Sequence, residues 1–398
     1  MAERIDELAL LGGRPAFMAP LHVGRPNIGD RQRLHERIDD LLDRRWLTNN
    51  GPYVQELEKR VADLHGVEHC IAVCNATVAL EIAIRALGLS GEVIVPSFTF
   101  IATAHALQWQ EITPVFCDID PKTHNLDPSA VEKMVTPRTT GIMGVHVWGR
   151  PCNTEALQTI ADRHGLKLLF DAAHAFACSH LGKMIGSFGN AEVFSFHATK
   201  FFNSFEGGAV VTNDAKLAAK IRLMKNFGFS GYDNVVYVGT NGKMSEVTAA
   251  MGLCSLESLD EFIGRNRSNY ETYSRELSGV SGVSLTRYDT TEKANFQYVV
   301  LEIDAELAGL TRDELIKVLH AENVLGRRYF YPGCHRMEPY RSFFPHAGLL
   351  LKQTDLLTDR VLSLPTGTAV TDGDIQRICD IIKLAVRRAP EVKKALAT

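Results

Sequence analysis

Between Tyr53 and Asn213 the chain repeats one rhythm: a short, nearly unbroken apolar run, a polar break, then a helical pattern. The runs fall at Cys70–Cys74, Val93–Pro96, Pro114–Asp118, Ile142–Trp148, Leu166–Phe170, Val193–His197 and Ala209–Thr212. A strand with one wet face would alternate polar and apolar residues, so runs this continuous belong to strands covered on both faces. Their alternation with helices predicts a layered α/β unit around a mostly parallel sheet. Two helices can be bounded: Ala76–Leu87, with Ala79, Ile82, Ala83 and Leu87 on one face, and Thr154–His164, which stops before Gly165.

From Leu256 the rhythm changes to a long polar helix, a strand-like run at Gln297–Ile303, a helix at Arg312–Glu322 and an amphipathic helix at Asp374–Arg387. The expected division is an N-terminal segment (1–52), a large domain (53–255) and a smaller C-terminal α/β domain (256–398). Phe227–Lys243, rich in Gly, Asn and Tyr, reads as an exposed functional loop or an oligomer contact.

Composition removes several classes of function. A net charge of -4 with interspersed signs gives no footprint for nucleic acid. Met1–Gly13 carries acids and too short an apolar stretch for a leader, and no run approaches a membrane span. Eight cysteines without a CxxC pair fit a reducing cytoplasm. His65, His69, Cys70 and Cys74 are spaced closely enough to suggest zinc, but strand alternation over His69–Cys74 sends neighbouring side chains to opposite faces, and no metal is expected.

Neither GxGxxG after the first strand nor GxxxxGK[ST] is present, which leaves a dinucleotide or Walker-type site without support. A different anion cradle is available. Cys74-Asn75-Ala76-Thr77 follows a strand and opens a helix, so its N–H groups and the helix dipole face outward, although a polar residue there is more often only a cap. Asp171 directly follows an apolar strand, at the edge where open α/β sheets place ligands; an N-cap for the following residues is the plainer reading. Lys200 comes just past the buried run Val193–His197 and before a Gly207-Gly208 turn, a placement in which desolvation would lower its pKa and free the amine to attack a carbonyl. A lone lysine is usually only a solvated surface group.

Cradle, acid and lysine in this order are what fold-type-I pyridoxal 5'-phosphate (PLP) enzymes use. The chain also resembles, over nearly its full length, the DegT/StrS family of PLP-dependent nucleotide-sugar aminotransferases. The resemblance is carried by Leu8–Phe17 (LALLGGRPAF), Leu47–Gly51 (LTNNG), Cys74–Leu80 (CNATVAL), Val95–Thr103 (VPSFTFIAT), Asp171–Ala175 (DAAHA), Phe194–Lys200 (FSFHATK), Glu206–Thr212 (EGGAVVT), Gly239–Glu246 (GTNGKMSE) and Leu362–Pro365 (LSLP). It implies an aspartate aminotransferase-like fold with a mostly parallel seven-stranded sheet in the large domain.

The same resemblance implies residue roles. Lys200 holds PLP as a Schiff base and shuttles the proton, and Asp171 faces the pyridine nitrogen. Phe100 stacks on the ring, although by periodicity alone it is a core strand residue. Ala76, Thr77 and Ser195 take the phosphate, and His174 lies near the phenolic oxygen. Asn241 reaches the phosphate from a partner subunit, which implies a homodimer with shared sites; without the resemblance it is a turn residue.

Departures narrow the branch. Asn75-Ala76-Thr77 replaces the common SGT, and Asn241-Gly242-Lys243-Met244 replaces NxRM, where lysine cannot reproduce a bidentate arginine contact. With Arg327–His335 these variants resemble enzymes that aminate C-4 of dTDP-4-keto-6-deoxy-D-glucose using L-glutamate, in desosamine- and viosamine-type pathways. Family members that dehydrate sugars carry His where this chain has Lys200. The sugar's diphosphate calls for cations, for which Lys243, Arg327 and Arg328 are candidates, and Tyr329 and Tyr331 are candidates for the sugar or base pocket, though surface charge and core packing are the plainer readings. A 3-keto or UDP-linked substrate and a dehydrase stay open.

Overall fold

The computed structural model describes residues 7–397; Met1–Asp6, the first part of the stretch weighed above as a leader, lies outside them. Seven strands form the central sheet: β1 (His69–Val73), β2 (Glu92–Pro96), β3 (Thr113–Cys117), β4 (Thr139–Val145), β5 (Lys167–Asp171), β6 (Ala191–Ser195) and β7 (Gly208–Thr212). Their spatial order is β1-β7-β6-β5-β4-β2-β3, with β7 antiparallel to both neighbours and every other pairing parallel. The sheet is the one the apolar runs predict.

Side-chain alternation builds one core on each face. Ile71, Val73, Val93, Val95, Met143, Leu169, Val193 and Val210 pack on one side with helix α1 (Ala76–Leu87) and part of α2 (Ile101–Gln108). Cys70, Ala72, Phe194, Ala209 and Val211 pack on the other. Cys70 packs in one core, whereas Cys74, one residue past β1, packs against the other, and His65 spends its Nδ1 on the carbonyl of Ile185. Asn75 caps α1 through the N–H of Val78 at 2.9 Å, and Gly88 ends it in the left-handed region at φ 74°. Helix α3 (Thr154–His164) has the bounds expected for it, capped by Asn153 and ended by Gly165.

One expectation requires correction. The run Ile142–Trp148 is not one strand: β4 ends at Val145, and Val147–Gly149 form a 3-10 turn in which Trp148 adopts φ 58°. The turn stays apolar because Trp148 is buried edge-on against Phe98, with centroids 5.4 Å apart. Phe100, which periodicity alone reads as a core strand residue, lies past the end of β2 at Pro96 and precedes α2 as its N-cap, with 56% of its surface exposed.

Helix α4 (Leu259–Leu277) leads to a three-stranded antiparallel sheet of β8 (Val283–Leu285), β9 (Val299–Ile303) and β10 (Val361–Leu364). Around it pack α5 (Arg312–Ala321), α6 (Lys352–Thr358) and α7 (Asp372–Arg387). The core here takes in Leu8, Phe17 and Leu21 from the start of the chain, and Leu21–His22 pairs in parallel with Val324–Leu325. No helix among the described residues is long and apolar enough to cross a membrane.

Candidate active site

Four of the loops that leave carboxyl ends of parallel strands, and the turn after β1, meet on one edge of the sheet, where such folds place ligands. Asp171 is the last residue of β5 and is buried. One carboxylate oxygen accepts the Thr103 hydroxyl at 2.8 Å, and the other accepts the N–H of Ala173 at 3.1 Å. Thr103 in turn meets the Thr99 hydroxyl at 2.8 Å. Burial pushes the Asp171 carboxyl above its ordinary range, while the Thr103 hydroxyl, the Ala173 N–H and the Lys200 charge pull the other way. A carboxylate so placed calls for a proton-bearing or cationic partner.

Lys200 lies five residues beyond the end of β6 at Ser195. Its Nζ donates to the Tyr298 hydroxyl at 3.3 Å, and its surroundings lower its pKa to about 8 by desolvation against the opposing pull of Asp171. The amine is thus held far closer to neutrality than a surface lysine, which suits attack on a carbonyl.

His174 is buried, and its tautomer follows from its partner. Trp148 N–H donates to Nδ1 at 3.1 Å, so the neutral ring carries its proton on Nε2 and can donate from there. Burial and the Lys200 charge hold the ring well below its usual pKa. It stacks on Phe330 with centroids 5.7 Å apart and planes 2° from parallel.

The cradle has the backbone it needs. Asn75 caps through Val78 only, so the first-turn N–H groups of Ala76 and Thr77 have no acceptor within α1. Gly208 lets the helix start lie against the sheet: a Cβ there would come within 2.7 Å of the Ala76 nitrogen. Ser195 is buried at the end of β6, with its hydroxyl 3.5 Å from the N–H of His197.

A cleft of about 420 Å³ opens beside Phe100 and is lined also by Arg327, Arg328, Tyr329 and Tyr331. Arg328 lies over the Tyr331 ring at 4.3 Å and pairs with Asp313 at 3.1 Å; Arg327 lies over Tyr329 at 5.3 Å. These four candidates are brought together with the candidate stacking residue. Asn241 and Lys243 are not among the cleft's lining residues. Asn241 is exposed, the Gly242 carbonyl accepts the N–H of Cys74 at 2.8 Å, and the Lys243 amine is spent on Asn226 at 3.0 Å and on the Phe227 ring.

Sequence reasoning missed Tyr298, Thr99, Thr103 and Trp148. It also missed the buried His146, which accepts from Cys152 N–H, meets Glu192 at 3.1 Å and donates its own backbone N–H to the Asp171 carbonyl. Thr99 and Thr103 carried a usable signal, two hydroxyls one helical turn apart directly after β2.

The profile of the DegT/DnrJ/EryC1/StrS aminotransferase family matches residues 29–383. A dTDP-4-amino-4,6-dideoxy-D-glucose transaminase from Shigella dysenteriae is 38% identical over 365 residues, 92% of this chain and 98% of that protein. A GDP-perosamine synthase from Caulobacter vibrioides is 35% identical over 363 residues, 90% of this chain and 96% of that protein. Among solved structures, DesI in the presence of its TDP-sugar product superposes with a TM-score of 0.95 at 53% identity, covering 99% of this chain and 100% of that one. The chain belongs to the DegT/DnrJ/EryC1/StrS aminotransferase family.

Proposed function

We propose that this aminotransferase uses PLP to move an amino group from L-glutamate to C-4 of dTDP-4-keto-6-deoxy-D-glucose, giving dTDP-4-amino-4,6-dideoxy-D-glucose. The observation that carries the reading is the placement of a lysine amine with a pKa near 8 on the same sheet edge as a buried carboxylate, beside an arginine- and tyrosine-lined cleft. The named relatives supply the sugar: a dTDP-sugar transaminase and a structure with a TDP-sugar product are both similar over nearly the whole chain.

The donor set suits PLP. Lys200 offers an amine to its aldehyde, Asp171 a negative charge to its ring nitrogen, His174 an Nε2 proton to its phenolic oxygen, and Ala76, Thr77 and Ser195 offer N–H and O–H groups to its phosphate. Phe100 offers a face to the ring. When bound, PLP supplies an aldehyde that accepts the amino group and a protonated ring that takes up electron density. Lys200 would hold the cofactor through its aldehyde and is placed to move a proton at the reacting carbon; a pKa near 8 suits it both to take and to return that proton near neutral pH. Tyr298, 3.3 Å from Nζ, orients the amine. Asp171 would keep the ring nitrogen protonated, and Thr103, whose hydroxyl donates to the carboxylate, holds it in place for that role. Arg327 and Arg328 meet the sugar's diphosphate, and Tyr329 and Tyr331 flank the sugar or base. Asn241 of the partner subunit completes the phosphate site, which makes the working unit a homodimer; the engagement of the Lys243 amine with Asn226 argues for a positioning part rather than direct substrate contact.

The similarity to a GDP-perosamine synthase favours a second reading, a GDP-linked 4-keto sugar. Both are tested by incubating the protein with PLP, glutamate and dTDP-, UDP- and GDP-linked 4-keto and 3-keto sugars, and identifying the product by mass and NMR. The expected result is a C-4 amino dTDP-sugar with 2-oxoglutarate in equal amount, lost in Lys200→Ala. Dehydration without 2-oxoglutarate would refute the reading.

A further inference from the structure

The cleft wall Arg327–His335 is fastened at both ends. At one, Arg327 and Ser363 of β10 exchange backbone hydrogen bonds of 3.0 and 2.7 Å. At the other sits Ser97, the first residue past β2. Its carbonyl accepts the N–H of Cys334 at 2.9 Å, and its hydroxyl oxygen accepts the N–H of His335 at 3.0 Å. The hydroxyl hydrogen is left to point at His335 Nδ1, 2.7 Å away. Burial lowers the imidazole pKa and keeps the ring neutral; with its one proton on Nε2, the nitrogen that faces Asp355, Nδ1 accepts.

The other side of His335 faces α6. Nε2 lies 3.1 Å from Asp355 Oδ1 without hydrogen-bond alignment, and Arg336 reaches the second oxygen at 2.6 Å. Helix α6 is itself tied to the large sheet, because Asp118, next after β3, accepts the N–H groups of Gln353 and Thr354 at 2.9 and 2.8 Å. Gly333 makes the contact possible: a Cβ there would come within 3.1 Å of His335 Nδ1 and 3.4 Å of Ser97 Oγ, and its φ is +87°. Between the two fastenings Phe330 is buried, stacked on His174 and edge-on to Phe98, while Tyr331 faces the cleft with Arg328.

We propose that His335 is a positioning residue for the nucleotide-sugar: by latching to Ser97 it fixes the Arg327–Tyr331 wall opposite Phe100, and so governs binding of the large acceptor but not of the small amino donor. This rests on the substrate reading of the preceding subsection. An amino acid carries no nucleotide to lie along that wall.

Two measurements test it. Amide hydrogen exchange on the holoenzyme without substrate should show residues 328–335 exchanging about tenfold faster in Ser97→Ala and His335→Ala, the weight of one buried hydrogen bond. β5 should be unaltered, and His335→Asn, whose amide oxygen replaces Nδ1 as acceptor, should return toward the parent. In steady state the two alanine variants should raise the KM for the dTDP-keto sugar about tenfold, with the rate of the glutamate half-reaction, followed by cofactor absorbance, unchanged. If His335→Ala does not fold, Ser97→Ala carries both arms. Unchanged exchange at 328–335, or equal slowing of both half-reactions, overturns the latch. A parent enzyme that converts no glutamate overturns the substrate reading instead, and exchange alone then decides the latch.

Discussion

Asp171 is held in a state that suits its proposed task and not its own comfort. Burial raises its pKa above 3.8, so the folded protein binds this proton more readily than the unfolded chain. Stability without cofactor therefore falls as pH rises through that window, and at neutral pH the ionised carboxylate is a net cost. Asp171→Asn keeps an acceptor for Ala173 N–H and removes the charge. We expect the cofactor-free variant to melt no lower than the parent at pH 7, and its turnover to fall on the order of a hundredfold or more, since removing one member of a buried charge pair costs about 3–5 kcal/mol. A lower melting temperature with turnover intact would sink this account. The positions of Asp171 and Lys200 at the sheet edge are legible in sequence because each closely follows an apolar run. Their partners are not: Thr103 is 68 residues from Asp171 and Tyr298 is 98 from Lys200, separations across which no spacing rule operates.

Among the elements, the start of α1 matters most, because its position against β7 sets where its N–H groups point. Gly208→Ala would push a methyl to within 2.7 Å of the Ala76 nitrogen and 2.8 Å of the Phe194 carbonyl oxygen, both backbone atoms that cannot swing aside. The expected outcome is a loss of about 1–3 kcal/mol in a thermal or urea melt, together with weaker PLP binding by titration; unchanged PLP affinity would show that the helix start does not hold the phosphate. The strands were readable because both-face burial leaves an apolar run wherever one occurs. The same logic overextends β4, since Val147 and Trp148 remain apolar after the chain has left the sheet, buried against Phe98 rather than in the ladder. At Phe100 periodicity alone misleads in the opposite sense: an aromatic after a strand reads as core, yet it stands exposed beside the cleft.

Across the whole molecule, the loop after Met224 exposes Phe227, Phe229, Tyr232 and Val235 through Val238, more apolar surface than a solitary subunit ordinarily leaves in one stretch. Exposed Trp109 and Val238 also share a hollow of about 250 Å³. For the proposed dimer, Val238→Asp should shift the sedimenting species toward monomer, with the dissociation constant weakened at least about tenfold, or about 1.4 kcal/mol, and activity falling with it. A parent that sediments as an active monomer would rule the arrangement out. The loop's exposure could be read from its Gly, Asn and Tyr content. The reach of the N-terminal segment could not, because Leu8, Phe17 and Leu21 are buried against residues some 250 to 380 positions later. Buried Glu322 accepts the N–H groups of Ala9 and Ala16, and Asn323 donates to the Phe17 carbonyl at 2.7 Å. That closure has a temporal meaning: the stretch Leu8–Leu21 leaves the ribosome well before the residues it rests on, so the central sheet can assemble while this stretch still waits.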